Sequence, residues 1–301
     1  MKLKLNFYQI KENLIDLPFF VFRNVNVEKL NIVTKILFLI KSIIIILIFK
    51  YTHKKLFCFY MNMFFKKNGK ILYSSHHNTY IKNFDNSLIH YPNKTRILGS
   101  MSNHEYELDN LLHSYSLENF EINKNDLIVD CGANVGNLFL AINRYYKNFK
   151  YIAFEPDPNA FKCLKLNTMN FANTSFHCVG LSNNIERKKF YINAETGDSS
   201  FESFRSKEII DIKTNILDDY NFKKIKLLKI DAEGHELEVL LGSKHTLSKI
   251  EYIAVDMGAE KGESADNTVA SVTNFLLRQN FELLSFKENR TTGLFKNLLY
   301  N

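Results

Sequence analysis

From Asn125 onward, short apolar runs alternate with helix-period segments, and this alternation confines the chain to few folds. LIVD (127–130), YIAFE (151–155), SFHCV (175–179), IKLLKID (225–231) and YIAVDM (252–257) are nearly continuous in apolar residues. That is the pattern of strands covered on both faces of a parallel sheet. Helical spacing fits near residues 135–146, 158–169, 235–241 and 267–279. The alternation predicts an α/β class with a doubly wound, Rossmann-like sheet, whose ligands bind at the carboxyl ends of the strands. Functional side chains are therefore expected where strands stop.

The first strand ends in Asp130-Cys131-Gly132-Ala133-Asn134-Val135-Gly136. Gly132 permits a tight turn, and Gly136 lets a helix start against the strand, so a ligand can lie over the helix amino terminus. The spacing D-x-G-x-x-x-G differs from the dinucleotide G-x-G-x-x-G, and it puts the Asp130 carboxylate where a pyrophosphate would be repelled. A cationic or uncharged small ligand suits this loop better. The second strand ends at Glu155, 19 residues beyond Gly136. That is about the separation at which an acidic side chain reaches ribose hydroxyls. Asp157 and Pro158 read as the N-cap and first turn of the next helix.

The fourth strand runs into Lys229-Ile230-Asp231-Ala232-Glu233-Gly234-His235-Glu236. Two carboxylates and a histidine at a strand end lie where doubly wound enzymes contact substrate. Each also has a structural reading: Glu233 as a helix cap, Glu236 as a first-turn acid, His235 as an exposed ring. Thr196 to Ser200 and the segment 256–266 with Glu260 read either as polar loops near an acceptor or as plain surface turns.

Charge divides the chain unevenly. Residues 1–70 hold 13 Lys and Arg against 3 acidic residues, a net +10, whereas the other 231 residues carry 26 against 29, a net −3. The overall +7 thus belongs to an extension and says little about the alternating region. Within it, IVTKILFLIKSIIIILIF (32–49) is interrupted by Lys35 and Lys41, and its longest uncharged stretch is 8 residues, against about 20 for a spanning helix. Three arrangements stay open: a helix packed on the body with its lysines reaching water, a helix lying in an anionic leaflet, and a span.

Residues 71–121 read as a bridge, with a hairpin closed at Asp85-Asn86 and a helix from Ser102 to His113 whose Ser102 and Glu105 form a capping box. The expected division is 1–70, 71–121 and 122–301. Cys58, Cys131, Cys163 and Cys178 form no CxxC pair, so no disulfide framework or zinc site is expected, and the scattered histidines of the bridge show no ligand spacing. No secretory signal is read. The expected setting is the cytoplasm, with peripheral membrane contact through residues 32–70 left open.

The stretches D-C-G-A-N-V-G, F-E-P-D-P, L-L-K-I-D-A-E-G-H-E-L-E-V-L and V-D-M-G-A-E resemble, in order, the FkbM family of S-adenosylmethionine-dependent methyltransferases over about residues 122–286. K-I-D-x-E-G-x-E is the most specific; Cys131 and Ala232 depart from the family's more common residues without removing a polar group. The resemblance implies a Rossmann-like methyltransferase that binds S-adenosylmethionine and O-methylates a sugar, glycan or small-molecule hydroxyl. By position it implies donor contacts from Asp130, Gly132, Ala133, Asn134 and Gly136, with Glu155 on the ribose. Asp231 is expected to face donor and acceptor, Glu233 to orient or deprotonate the hydroxyl, and His235 to be the weaker base candidate. A nucleic-acid methyltransferase is the rival, but D-A-E-G stands where an N/D-P-P-Y/F tetrad is expected and the region is acidic, so no nucleic-acid partner is expected. A noncatalytic, membrane-associated protein keeping the fold is the other.

Overall fold

The computed structural model describes residues 29–65, 69–84, 87–101, 104–192, 199–201, 208–262 and 264–300. The first 28 residues of the predicted extension, the Asp85-Asn86 turn, Ser102 of the capping box and Thr196 to Asp198 lie outside them.

The strands predicted from apolar runs form one sheet. They are β4 (Leu127–Cys131), β5 (Lys150–Phe154), β6 (Thr174–His177), β10 (Ile225–Ile230) and β11 (Ile250–Asp256), joined by the carboxy-terminal hairpin β14 (Phe281–Lys287) and β15 (Thr292–Asn297). The order is β14-β15-β11-β10-β4-β5-β6. From β11 to β6 every pairing is parallel, and β15 runs antiparallel to both neighbours. This is the expected doubly wound, Rossmann-like α/β sheet, and its order reverses between β4 and β10.

Successive strand residues point to opposite faces. Ile128, Ala153, Leu227 and Ala254 therefore share one core with α4 (His104–Ser114) and α5 (Asn137–Tyr145). Their neighbours Val129, Phe154, Leu228 and Val255 share the other with α7 (Glu236–Leu241) and α8 (Val269–Arg278). The continuous apolar runs reflect this double cover. α6 (Pro158–Thr168) starts as read, with Asp157 accepting from the Asn159 and Ala160 amides and Pro158 in the first turn.

A small sheet, β7-β9-β8, built from β7 (Gly180–Leu181), β8 (Arg187–Ile192) and β9 (Glu208–Asn215), is inserted between β6 and β10. β12 (Ala259–Lys261) pairs with β13 (Asp266–Asn267) beyond β11.

On the amino-terminal side, α1 (Ile32–Tyr51) and α2 (Lys54–Phe65) precede an antiparallel meander of β1 (Lys70–Ser74), β2 (Thr79–Phe84) and β3 (Ser87–Tyr91), then α3 (Lys94–Leu98). Ile45, Phe57, Met61, Ile71, Ile89 and Ile97 share one core with Val135, which precedes α5, and Cys163 of α6. Lys94 Nζ donates to the Phe49 and Thr52 carbonyls at the end of α1, so the start of α3 is tied to α1 at the helix end that suits a cation.

Candidate functional site

The loop after β4 folds back onto the end of β5. Gly132 (φ 74) and Asn134 (φ 50) both adopt left-handed backbone, and a Cβ on Gly132 would stand 1.8 Å from the Asp231 carbonyl oxygen. Only glycine lets β4 and β10 approach this closely beyond their paired residues. The Gly132 and Ala133 amides donate to the Phe154 carbonyl at 3.0 and 3.1 Å. Glu155 accepts from the Asn134 amide at 2.7 Å and the Asp157 amide at 2.8 Å. Burial first, then the neighbouring Asp157 carboxylate, push its pKa up to about 7.

At the end of β10 the charges interlock. Lys229 Nζ lies 3.1 Å from Asp130 Oδ1 and 3.5 Å from Asp231 Oδ2 and donates to the Gly132 carbonyl at 2.7 Å. Tyr151 Oη donates to the other oxygen of Asp130. Asp231 Oδ2 accepts from Tyr115 Oη at 2.9 Å and Arg290 Nη2 at 3.0 Å. Burial opposes its ionisation, but Lys229 and Arg290 outweigh it and hold its pKa below the ordinary value. Arg290 also places Nε 2.7 Å from Asp256 Oδ2.

Two residues on, Glu233 adopts φ 51, an uncommon backbone for a residue with a Cβ, and turns its side chain into the wall of a cavity of about 400 Å³. Glu260, from β12, hydrogen-bonds to Glu233. Burial and then the charges of Asp231, Asp256 and Glu236 push the Glu260 pKa up to about 8. Burial and the acidic neighbours thus favour the protonated form of Glu260, while the bond to Glu233 favours the ionised one.

The same cavity is lined by Asp130, Gly132, Ala133, Asn134, Glu155, Asp231 and Glu233, so the structure gathers these expected site residues in one place. Gly136 and His235 do not line it. Gly136 (φ 90) starts α5, and its missing Cβ admits Leu164 of α6. His235 turns away from the predicted acceptor side: its ring is buried, its Nε2 lies 2.9 Å from Ser182 Oγ, and it packs on Phe201. Burial draws its pKa down to about 4. The physical reason is the turn itself, which Glu236 fastens from below by accepting from the Ala232 and Gly234 amides and from Thr268 Oγ1. Ser199 lines the cavity, and Ser200 Oγ donates to the Glu233 carbonyl at 2.6 Å.

The wall fits S-adenosylmethionine. Seven carboxyl side chains line it against three cations, and the amide oxygens of Asn134 and Asn137, both cavity-lining, are buried without a hydrogen-bond partner. Such unmet acceptors call for ligand hydroxyl or amino donors, which a ribose and an amino acid carry. The acids suit a sulfonium and oppose a phosphate. Tyr115 and Arg290 were not legible as site residues: they stand 116 and 59 positions from Asp231, at a helix end and in a β-turn with no motif. Lys229 was visible, though only as part of K-I-D.

A family model described as the methyltransferase FkbM domain matches residues 130–283, just over half of the chain. The methyltransferase sdnD of Sordaria araneosa is 31% identical over 43% of this chain and 64% of its own length. The hexuronic acid methyltransferase AglP of Haloferax volcanii is 26% identical over 46% of this chain and 59% of its own. The chain thus spans roughly three fifths of these curated relatives. A crystal structure of an FkbM methyltransferase from Methylobacillus flagellatus is 17% identical, with a TM-score of 0.43 covering 68% of this chain and 55% of that one.

Proposed function

The chain belongs to the FkbM methyltransferase domain family, and from that premise we propose that it transfers a methyl group from S-adenosylmethionine to a hydroxyl of a sugar, glycan or small metabolite. S-adenosylmethionine, when bound, supplies an electrophilic methyl on a sulfonium sulfur. Asp130, Gly132, Ala133 and Asn134 hold its amino-acid and ribose side, and Glu155 accepts from the ribose hydroxyls.

The observation that carries the oxygen assignment is the Glu233–Glu260 pair beside Asp231. Glu233 accepts the hydroxyl hydrogen of the acceptor, orients its lone pair toward the donor side of the cavity and takes the proton as the oxygen attacks. Glu260 stands beside Glu233 in the same wall. Asp231, saturated by Tyr115, Arg290 and Lys229, is a poor proton acceptor. Its part is electrostatic, fixing those cations in place. Alignment of oxygen, methyl and sulfur in one cavity supplies most of the acceleration. The acceptor is not a nucleic acid in this reading, because a wall dominated by carboxylates repels a phosphate backbone. The name of the Haloferax relative, a hexuronic acid methyltransferase, is consistent with a glycan.

In this reading residues 1–70 are an extension, 71–121 a bridge and 122–301 the methyltransferase domain. The extension makes peripheral membrane contact. α1 is 20 residues long and contains an 18-residue stretch with a mean hydropathy of 2.7, yet it buries only Ser42, Ile45 and Ile48. Ile32, Val33, Ile36, Leu37, Ile40, Ile44 and Leu47 are exposed on its other side, and Leu56, Phe59, Tyr60 and Met63 of α2 are exposed at helical spacing. A surface this apolar, with Lys50, Lys54 and Lys55 at the bend between the helices, suits an anionic leaflet. The setting proposed is the cytoplasm, at a membrane.

The reaction is tested by incubating the full chain with labelled S-adenosylmethionine and fractionated cell extract. Label in the glycan or lipid-linked fraction as a base-stable methyl ether supports the reading. Label only in protein or nucleic acid overturns it.

A further inference from the structure

A second cavity, of about 540 Å³, shares Arg96, Leu111, Asn137 and Arg290 with the first. The sign of its walls is reversed. Among the described residues, the first carries seven carboxyl side chains against three cations, and the second carries Glu107 against Arg96, Lys287 and Arg290. Part of that positive charge is already met, since Arg290 binds Asp231 and Asp256, Lys287 stands 3.4 Å from Glu118, and the Arg96 charge acts on Glu155 and Asp231.

His104 supplies an independent sign of a missing ligand. It lines this second cavity, is only 6% exposed, and neither ring nitrogen has a hydrogen-bond partner. Buried polar atoms are nearly always satisfied, so such a ring calls for a partner. Lys82, fully buried, has an ammonium with no hydrogen-bond partner. Burial, then the positive charges of Lys82 and Arg144, draw the His104 pKa down to about 4. An anion entering beside the ring would relieve that potential and give its nitrogens an acceptor.

We propose that the second cavity is an acceptor subsite for an anionic substituent, a carboxylate foremost, on the molecule whose hydroxyl is methylated in the first cavity. The proposal rests on the methyltransferase reading above and narrows its substrate class to acidic acceptors. The two cavities meet at Arg96 and Arg290, so an acceptor lying across them sets its hydroxyl among carboxylates and its anion among cations. The chemistry is shared with one other source, the carboxylate of the donor's own amino-acid end.

The full chain saturated with S-adenosylhomocysteine is titrated calorimetrically with D-glucuronate and with D-glucose, and the histidine ring signals are followed by NMR. Glucuronate is expected to bind at least tenfold more tightly than glucose and to shift the His104 ring, with the preference falling below threefold in Lys287→Gln, a partly exposed position. Equal binding of the two sugars, or binding of neither, overturns the proposal. So does a tenfold loss of S-adenosylhomocysteine affinity in Lys287→Gln with glucuronate binding unchanged, which assigns the cavity to the donor carboxylate. Failure of S-adenosylhomocysteine itself to bind overturns the methyltransferase reading, and this subsite with it, and is a separate signal from a lost sugar preference.

Discussion

Arg290 Nη2 lies 3.0 Å from Asp231 Oδ2, which joins the turn between β14 and β15 to the carboxyl end of β10. Its Nε binds Asp256 at the end of β11, so one guanidinium closes the acceptor side of the site by bridging two strand ends. Replacing it by Met leaves two carboxylates facing each other. Arg290→Met is expected to lower unfolding free energy by about 2 kcal/mol, less than for a fully buried pair because the side chain is 37% exposed. Urea denaturation measures this, and an unchanged midpoint would show that the bridge contributes nothing.

Glu233→Gln keeps size and hydrogen bonding but removes the proposed base. Turnover should fall about 100-fold or more with donor affinity unchanged within twofold. Single-turnover label transfer at saturating donor reads the first, calorimetry the second.

Gly132→Ala sets a Cβ against the Asp231 carbonyl, at a φ of 74. The loop must open, and both stability and donor binding should suffer, by about 3 kcal/mol in unfolding free energy. A Gly132→Ala protein that melts normally and binds S-adenosylhomocysteine normally would show that the close approach of the two strands is dispensable.

Glu236, fully buried under the turn, has its pKa raised to about 7, chiefly by burial. A carboxyl whose folded pKa lies above its unfolded one holds a proton more tightly when folded, so it favours folding below about pH 4.5, and that contribution is lost as pH rises through 7. The Tm difference between wild type and Glu236→Gln should therefore change across pH 4.5 to 7 and stay flat outside it. A constant difference over that window would mean that Glu236 is already ionised in the folded protein.

The exposed faces of α1 and α2 are tested with vesicles. The full chain should co-sediment with phosphatidylcholine vesicles containing phosphatidylglycerol, less with phosphatidylcholine alone, and Ile36→Glu with Ile40→Glu should weaken binding at least tenfold. Equal recovery in the supernatant with and without vesicles would exclude the contact.

The parallel strands were legible because double burial writes long apolar runs, as in IKLLKI of β10. Asp130 and Glu155 were legible because each stands at the end of such a run. β8 and β9 were missed, since RKKFYI and EIIDIKTN are exposed on much of one side and mix charge with apolar residues. The hairpin of β2 and β3 was expected, but β1 beside it was not. Glu236 and His235 show why spacing alone misplaces roles. Adjacent polar residues of one motif point to different sides of a turn, and only the backbone decides which faces ligand. Arg290 could not be read, because its carboxylate partners come from two separate strand ends.

The central claim is that the cavity between the Asp130–Asn134 loop, Glu155 and Asp231 holds S-adenosylmethionine. Calorimetric titration of the full chain with S-adenosylhomocysteine tests it most directly: one site per chain is predicted, weakened at least tenfold in Glu155→Ala while the fold is retained. Absence of binding, or equal affinity in the folded Glu155→Ala protein, would contradict it.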